Sequence, residues 1–202
     1  MADTLLLGST SASRKKLLSD AQIRYTLVHQ SADESKCDWG LPLQQLVESI
    51  AAYKMEHLII PAGNERDIVF VLTADTLSQD STGAINGKPV DREDAIAKIK
   101  AARNGMRTGT AFCLDRKQFR NGSWHIDKRI IRFVEAHYRF IIPDFWIDRY
   151  LNHSLGLKAS GAIAIEEFGS LFLESINGSY TTIVGLPLFE LREALQELGF
   201  QF

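Results

Sequence analysis

The feature that most constrains the fold is a near-continuous apolar run at residues 67–75, with the sequence DIVFVLTAD. A half-exposed strand alternates apolar and polar residues, whereas an unbroken run is typical of a central strand buried on both faces. Burial on both faces requires flanking layers, so this run predicts a layered α/β architecture. The run ends at an acid, Asp75, and ligands in α/β sheets gather at the carboxyl ends of strands.

Strand and helix patterns alternate on both sides of this run. A ribbon of two strands follows, joined by the hairpin signal Asn121-Gly122. These patterns predict an α/β fold with a mixed sheet, flanking helices and two lobes around a long cleft, in a single domain spanning residues 1–202. Strands are predicted at residues 4–8, 24–29, 67–75, 108–117 and 124–140, and helices at residues 11–20, from Pro42 onward, and at 91–103, 143–152 and 187–198, with 157–184 unassigned.

Composition excludes several classes of protein. Hydrophobic residues make up 45% of the 202 residues and charged residues 24%, and the formal net charge is −2. This charge provides no basic field, so we expect no nucleic-acid partner. Cys37 and Cys113 lack metal-type spacing and are expected to be free thiols of a reducing compartment. The start, MADT, is unlike a signal peptide, and no apolar run approaches the roughly 20 residues of a membrane span, so we expect a cytoplasmic protein without a membrane partner.

The stretch GSTSASRKKLL, residues 8–18, places hydroxyls and cations at the start of a predicted helix. A helix N-terminus already carries partial positive charge, so cations there are mildly unfavourable unless an anion binds. Backbone N–H groups, serine hydroxyls and the fork of Arg14 are suited to phosphate oxygens. The alternative is a capped helix with a solvated cationic face.

Two further turns place charged groups close to the buried strand. Asp75 could hold a hard cation or act as a base, or it could simply cap a turn. Lys88 lies in NGKP, which fails the P-loop pattern because three residues separate Gly83 and Gly87 and Pro89 follows the lysine. Lys88 is therefore either a phosphate contact on a tight turn or part of a surface turn.

The fourth candidate combines the acids of ADES, residues 32–35, with Lys54 on the following helix. Lys54 falls on the apolar face of that helix, where a cation is unexpected. It could pair with the acids or with phosphate, or it could be a lysine whose stem packs on the core while its ammonium reaches water.

Taken in chain order, these pieces resemble the Maf family of nucleoside triphosphate pyrophosphatases. The resemblance spans nearly the whole chain, and its specificity comes from the number and order of the matches rather than from one motif. The matching stretches are Ser9 to Leu18 after the first strand, Asp33-Glu34, Ala51 with Lys54, Ala74 to Thr76, GKPVDREDA from Gly87, Thr108-Gly109, and NGSYTTIVGLPL from Asn177.

The resemblance implies hydrolysis of a nucleoside triphosphate to the monophosphate and pyrophosphate, with a divalent cation, Mg²⁺ or Mn²⁺. It also implies a fold related to inosine triphosphate pyrophosphatases, a homodimer, a house-cleaning role towards modified nucleotides and a link to septum formation. By resemblance, Glu34 and Asp75 hold the metal and Asp75 is the general base. The triphosphate is then bound by Ser9, Ser11, Arg14, Lys54 and Lys88.

Specificity is expected from positions where this chain departs from the family pattern. Ser13 stands where the branch resembling dTTP/UTP pyrophosphatases has an arginine, and Glu166 stands where it has a glutamine. A carboxylate can accept two hydrogen bonds from guanine N1–H and N2–H₂ and favours the cationic 7-methylguanine ring. These residues favour 7-methyl-GTP, whereas Thr76 resembles the pyrimidine type and keeps dTTP/UTP as the alternative.

Three other functions remain open at this stage. A catalytically decayed nucleotide-binding regulator of septum formation would bind triphosphate without releasing pyrophosphate. A structural or interaction domain would bind no triphosphate, and an unrelated monoester phosphohydrolase would release orthophosphate instead.

Overall fold

The computed structural model describes residues 3–202 and confirms the α/β class. Met1 and Ala2, which form part of the N-terminal stretch judged unlike a signal peptide, lie outside the described residues. The strands are β1 (Leu5–Leu7), β2 (Tyr25–Leu27), β3 (His29–Gln30), β4 (Leu58–Ile59), β5 (Ile68–Asp80), β6 (Ile85–Asn86), β7 (Met106–Arg120), β8 (Ser123–Phe140) and β9 (Leu173–Asn177), and the helices are α1 (Ala12–Asp20), α2 (Leu43–Glu56), α3 (Arg92–Ala102), α4 (Asp144–His153), α5 (Tyr180–Val184) and α6 (Leu188–Leu198).

The main sheet has seven strands, in the order β2-β1-β5-β7-β8-β9, with β6 paired to β5. Strand β1 runs parallel to β2 and β5, whereas β6 is antiparallel to β5 and β9 is antiparallel to β8. The sheet is therefore mixed, as predicted. A separate antiparallel pair is formed by β3 and β4.

The chain divides into two compact units. Unit 1 contains the described residues up to Asp75, together with Ala111–Phe133 and Gly185–Phe202. Unit 2 contains Thr76–Thr110 and Val134–Val184. Strands β5, β7 and β8 each contribute residues to both units. The single domain and its cleft stay predictions.

In unit 1 the apolar face of α2 is buried as predicted. Leu46, Val47 and Ile50 are fully buried, and Lys54 shares their face with 7% exposure. Pro42 precedes the helix as its N-cap residue, where the missing N–H of proline costs nothing.

In unit 2 an aromatic cluster forms the centre of the core. The ring of Phe140 meets those of Tyr150 and Phe172 edge to face, with centroids 5.6 and 6.2 Å apart. The buried Tyr150 hydroxyl accepts a hydrogen bond from Ala164 N at 2.6 Å and donates to the carbonyl of Ala162 at 3.0 Å. One side chain of α4 thus holds the irregular segment that follows it.

Two expectations about local structure are corrected. The predicted strand ending at Asp75 continues to Asp80, so Asp75 lies within β5 rather than at its end. The extension is polar in sequence, but its hydroxyls are paired inside the sheet: Ser78 Oγ lies 2.9 Å from Thr108 Oγ1. The unassigned region forms the 3₁₀ turns Gly156–Lys158, Ser160–Ala162 and Glu167–Phe172, then β9 and α5.

Two other expectations, the hairpin turn and the free cysteines, agree with the structure. Asn121 and Gly122 have φ of 51° and 76°, the left-handed pair that a tight hairpin between β7 and β8 requires. Both cysteines are free thiols. Within residues 3–202, no helix has the length and apolar character needed to cross a membrane.

Gly169 provides a test of the packing in unit 2. A Cβ at this position would lie 1.8 Å from the carbonyl oxygen of Ala164, a backbone atom that cannot rotate away. We expect Gly169→Ala to lower the free energy of unfolding by about 1–3 kcal/mol or more, measured by denaturant unfolding. Gly40→Ala is the control, because its Cβ would meet only the movable Asp38 carboxylate at 3.2 Å. Equal stabilities of the two variants would contradict this packing.

Candidate active site

Unit 1 contains five charged side chains that are almost fully buried. Two of them, Asp115 and Lys117, pair with each other at 3.2 Å. The other three are residues of the predicted site. Arg14 is 9% exposed, Lys54 7% and Asp75 6%. Removing charges from water is costly unless they are paired, so a cluster of this kind is either a structural network or a functional site.

Lys54 connects two carboxylates that are distant in sequence. Its ammonium lies 2.6 Å from Asp75 Oδ1 and 2.8 Å from Glu34 Oε1. The Thr73 hydroxyl donates to the carbonyl of Ala51 at 2.7 Å and fastens β5 to the helix that carries Lys54. The ammonium is therefore buried and pairs with two acids, of which Asp75 is buried as well, so the alternative in which the ammonium reaches water is wrong.

Asp33 and Glu34 have different roles in their loop. Asp33 is the N-cap of a 3₁₀ turn, Glu34–Lys36, and its Oδ1 accepts hydrogen bonds from Ser35 N and Oγ at 3.2 and 2.6 Å. These bonds hold the pKa of the Asp33 carboxyl below its usual value. Trp39 Nε1 donates to the Glu34 carbonyl at 3.1 Å. Asp33 thus shapes the turn, and Glu34, whose side chain is 46% exposed, points its carboxylate at Lys54.

Arg14 lies in the first turn of α1 and is anchored by the far end of the chain. Its Nε donates to the carbonyl of Gly185 at 2.7 Å, and its Nη1 donates to Ser9 Oγ at 3.3 Å. Burial lowers the pKa of the guanidinium, and the negative charges of Asp75 and Glu34 oppose that shift. The alternative of a solvated cationic face is therefore wrong for Arg14.

The serines before α1 have hydrogen-bonding capacity left for an anion. Ser11 caps the helix by accepting from Arg14 N at 3.4 Å. Ser9 Oγ accepts from both Ser11 N, at 3.3 Å, and Arg14 Nη1. A hydroxyl has two acceptor lone pairs and one proton, so Ser9 has used its acceptors and retains its O–H as a donor. Such a donor suits a phosphate oxygen.

The residues present fit a divalent cation. Asp75 Oδ2 is buried and has no hydrogen-bond partner among the described residues. The Glu34 carboxylate contacts the same lysine, Lys54, and is half exposed. Mg²⁺ is commonly bound by one or two carboxylates, with substrate phosphates and water completing its shell. Residues 3–202 contain no cluster of three or more His, Cys, Asp or Glu side chains able to hold a metal ion.

The remaining predicted site residues are distributed between the two units. Ser13 is half-buried in the first turn of α1 in unit 1. Unit 2 contains Thr76, whose Oγ1 lies 2.9 Å from Thr110 Oγ1. Lys88 is exposed on the turn after β6, and Glu166 is the N-cap residue of the 3₁₀ turn Glu167–Phe172.

Unit 2 also contains a concavity of about 690 Å³, which none of the predicted site residues lines. Its cations are already paired: Arg107 contacts Glu135 at 3.3 Å, and Arg139 contacts Glu174 at 2.7 Å. This surface therefore has little charge left for an anionic ligand.

Sequence reasoning missed Gly185 as part of the site. Its carbonyl anchors Arg14 across 171 positions of the chain, and its φ of 120° is favourable only for glycine. The signal was present in the GLPL stretch matched to the family, but that match carries no information about which atom points at which partner.

The arrangement of a buried arginine, serine donors and a lysine shared by two carboxylates has the features of a site for a phosphate anhydride and a cation. A comparison with protein families agrees with this interpretation, because the family described as Maf-like protein matches residues 4–198 of the chain. The chain therefore belongs to the Maf-like protein family, as the resemblance predicted.

Individual relatives extend over the whole chain. A dTTP/UTP pyrophosphatase of Shewanella sp. is 34% identical over 205 residues, covering 98% of this chain and 99% of the relative. A dTTP/UTP pyrophosphatase of Caldicellulosiruptor saccharolyticus is 31% identical, with 97% and 95% covered. A nucleoside triphosphate pyrophosphatase of Trichormus variabilis is 32% identical, with 96% and 93% covered. These names agree with the enzyme class predicted from the sequence.

Cys37 can report the charge of this site. Burial raises the pKa of its thiol, and the negative charges of Glu34 and Asp75 raise it further. Removing a negative charge favours the thiolate, so Glu34→Gln should lower the pKa of Cys37 and accelerate its alkylation at pH 8. The measurement is the pH dependence of the iodoacetamide reaction, with Cys37→Ser as the blank.

Glu48→Gln is the matched control, because Glu48 is half-buried on α2 and its carboxylate accepts a hydrogen bond from Gln44 Nε2 at 3.0 Å. Cys113 should not react with iodoacetamide at pH 8, since burial raises the pKa of its thiol to about 12. An unchanged pKa of Cys37 in Glu34→Gln would contradict the proximity of the two groups.

Proposed function

We propose that this protein is a metal-dependent nucleoside triphosphate pyrophosphatase that releases pyrophosphate and a nucleoside monophosphate, with pyrimidine triphosphates (dTTP and UTP) as its preferred substrates. The observation that carries the proposal is the Lys54 ammonium held between Asp75 and Glu34 in the same unit as the buried Arg14.

The pyrimidine preference is supported by the names of the Shewanella and Caldicellulosiruptor relatives. The preference for 7-methyl-GTP that Ser13 and Glu166 favoured has no support from those names. Thr76 is consistent with the pyrimidine type. Ser13 and Glu166 then become positions at which a pyrimidine enzyme tolerates departures from the family pattern.

Binding of the triphosphate is assigned to the cations and hydroxyl donors. The N-terminus of α1, capped by Ser11, provides N–H dipoles, and Ser9 provides its O–H. Arg14 and Lys88 contribute full positive charge. Positive groups of this kind stabilise the charge that accumulates on a leaving pyrophosphate, which is where electrostatic catalysis is strongest.

Asp75 is assigned the role of the general base that accepts a proton from the attacking water. The Lys54 ammonium lies 2.6 Å from Oδ1, and Oδ2 has no hydrogen-bond partner among the described residues. Asp75 and Glu34 would also hold Mg²⁺ or Mn²⁺, which would neutralise charge on phosphoryl oxygens. The homodimer and the cytoplasmic location are part of the same proposal.

We expect Asp75→Asn to lower kcat by about 10²- to 10⁴-fold, because the amide cannot accept the proton. The measurement is pyrophosphate release from dTTP with Mg²⁺, together with the melting temperature to show that the fold persists. Asp20→Asn is the control, because Asp20 is exposed and its ion-pair partner is Lys16, at 3.0 Å. Normal turnover by Asp75→Asn would overturn the base assignment.

A substrate panel of dTTP, UTP, CTP, GTP and 7-methyl-GTP tests the preference. We expect the highest kcat/KM for dTTP and UTP, with pyrophosphate rather than orthophosphate as product. If kcat/KM were highest for 7-methyl-GTP, the pyrimidine preference would be wrong, and Ser13 and Glu166 would indicate the substrate. Binding without turnover, with either Mg²⁺ or Mn²⁺, would point to a nucleotide-binding regulator, and orthophosphate release would point to a monoester phosphohydrolase.

A further inference from the structure

The turn that carries Lys88 is fixed at three successive carbonyls by donors from other parts of unit 2. The carbonyl of Asn86 accepts from Ser160 Oγ at 2.5 Å, and that of Gly87 accepts from Gly161 N at 3.0 Å. The carbonyl of Lys88 itself accepts from Lys98 Nζ at 3.4 Å. A surface turn needs none of these bonds, because water could satisfy each carbonyl.

Ser160 makes two of the connections around this turn with one hydroxyl. It donates its only proton to Asn86 and accepts a hydrogen bond from Ser78 N at 2.8 Å. Ser78 lies in β5, so the hydroxyl ties the Lys88 turn to the central strand. Its donor and acceptor roles are both set, because a hydroxyl has one proton to donate.

The segment that carries Ser160 is itself held in place. Gly161 and Ala162 have φ of 64° and 58°, and Ala162 is a non-glycine residue in the left-handed region. The Tyr150 hydroxyl binds the carbonyl of Ala162 and the N–H of Ala164. A non-glycine residue keeps a left-handed conformation only where the surrounding structure holds it there. The segment that carries Ser160 is therefore held in one conformation by its contacts.

The Lys88 side chain is, by contrast, open. It is exposed, and its ammonium has no ion-pair partner among the described residues. Hydrogen bonds that fix the backbone below this exposed side chain restrict where its charge can reach and reduce the ordering that an anion must impose on binding.

We propose that Ser160 is a positioning residue for Lys88: it holds the turn so that the ammonium meets the phosphates of the substrate. This inference rests on the proposed function, in which Lys88 binds the triphosphate. Ser160 does not touch the substrate in this proposal and acts through the backbone of residues 86–88.

The test is a double-mutant cycle between Ser160→Ala and Lys88→Met, measured as kcat/KM for dTTP. We expect Ser160→Ala to lower kcat/KM by about 5-fold, mainly through KM, in the wild-type background and by less than about 1.5-fold in the Lys88→Met background. Effects that multiply in the double variant would overturn the proposal, because a structural role would act whether or not Lys88 is present.

Two further variants separate positioning from stability. Ser160→Thr retains the hydroxyl and should restore kcat/KM to within about 2-fold of wild type. Ser170→Ala removes another serine hydroxyl of unit 2 that donates to a backbone carbonyl, that of Glu167 at 2.6 Å, and within residues 3–202 Ser170 has no bond to residues 86–88. It should lower the melting temperature without changing KM, and a raised KM in this control would contradict the proposal.

Binding of inorganic tripolyphosphate, measured by calorimetry, provides a readout that does not require turnover. If wild type binds tripolyphosphate and Ser160→Ala weakens that binding only when Lys88 is present, the positioning role holds even if no pyrophosphate is released. Coupled binding without pyrophosphate release would therefore contradict the proposed function but not the positioning role of Ser160. If Lys88→Met binds tripolyphosphate as tightly as wild type, the positioning role is overturned.

Discussion

The ion pair between Lys54 and Asp75 determines the arrangement of the rest of unit 1. Both groups are buried, and removing Lys54 would leave the Asp75 carboxylate without an ion-pair partner among the described residues, which typically costs several kcal/mol. The pair requires α2 and β5 to meet at a fixed register, and the bond from Thr73 to Ala51 maintains that register. Glu34 extends the pair into the loop between β3 and α2. Packing and chemistry therefore depend on the same contact.

The features that sequence reasoning predicted are those decided locally. Ser11 caps α1 because a hydroxyl before a helix can reach the N–H of Arg14, three residues on. The turn at Asn121 and Gly122 forms because these residues adopt positive φ readily. The buried face of α2 follows from helical periodicity alone. Each of these requires only a few neighbouring residues.

The features that were not predicted depend on pairs of residues far apart in the chain. The polar end of β5 was not predicted as strand, because polar residues are stable there only when a neighbouring strand pairs with them. The Ser78 hydroxyl has such a partner in Thr108 of β7. Residues 157–184 combine short 3₁₀ turns with four residues of positive φ, Gly161, Ala162, Glu167 and Gly178. Tyr150 of α4 holds one of them, Ala162, by donating a hydrogen bond to its carbonyl. The charged residues of the site were identified by type and motif, but the pairing of Lys54 with both carboxylates follows only from the fold.

The anchor of Arg14 has a consequence for how this site can change over evolution. The acceptor for its Nε is a main-chain carbonyl, that of Gly185, rather than a side chain. Every residue type has such a carbonyl, so no substitution at position 185 deletes the acceptor itself. A substitution can act only by shifting the backbone, which the φ of 120° makes costly for any residue with a Cβ. The position of the guanidinium therefore depends on the backbone conformation at residue 185 and on no side chain there.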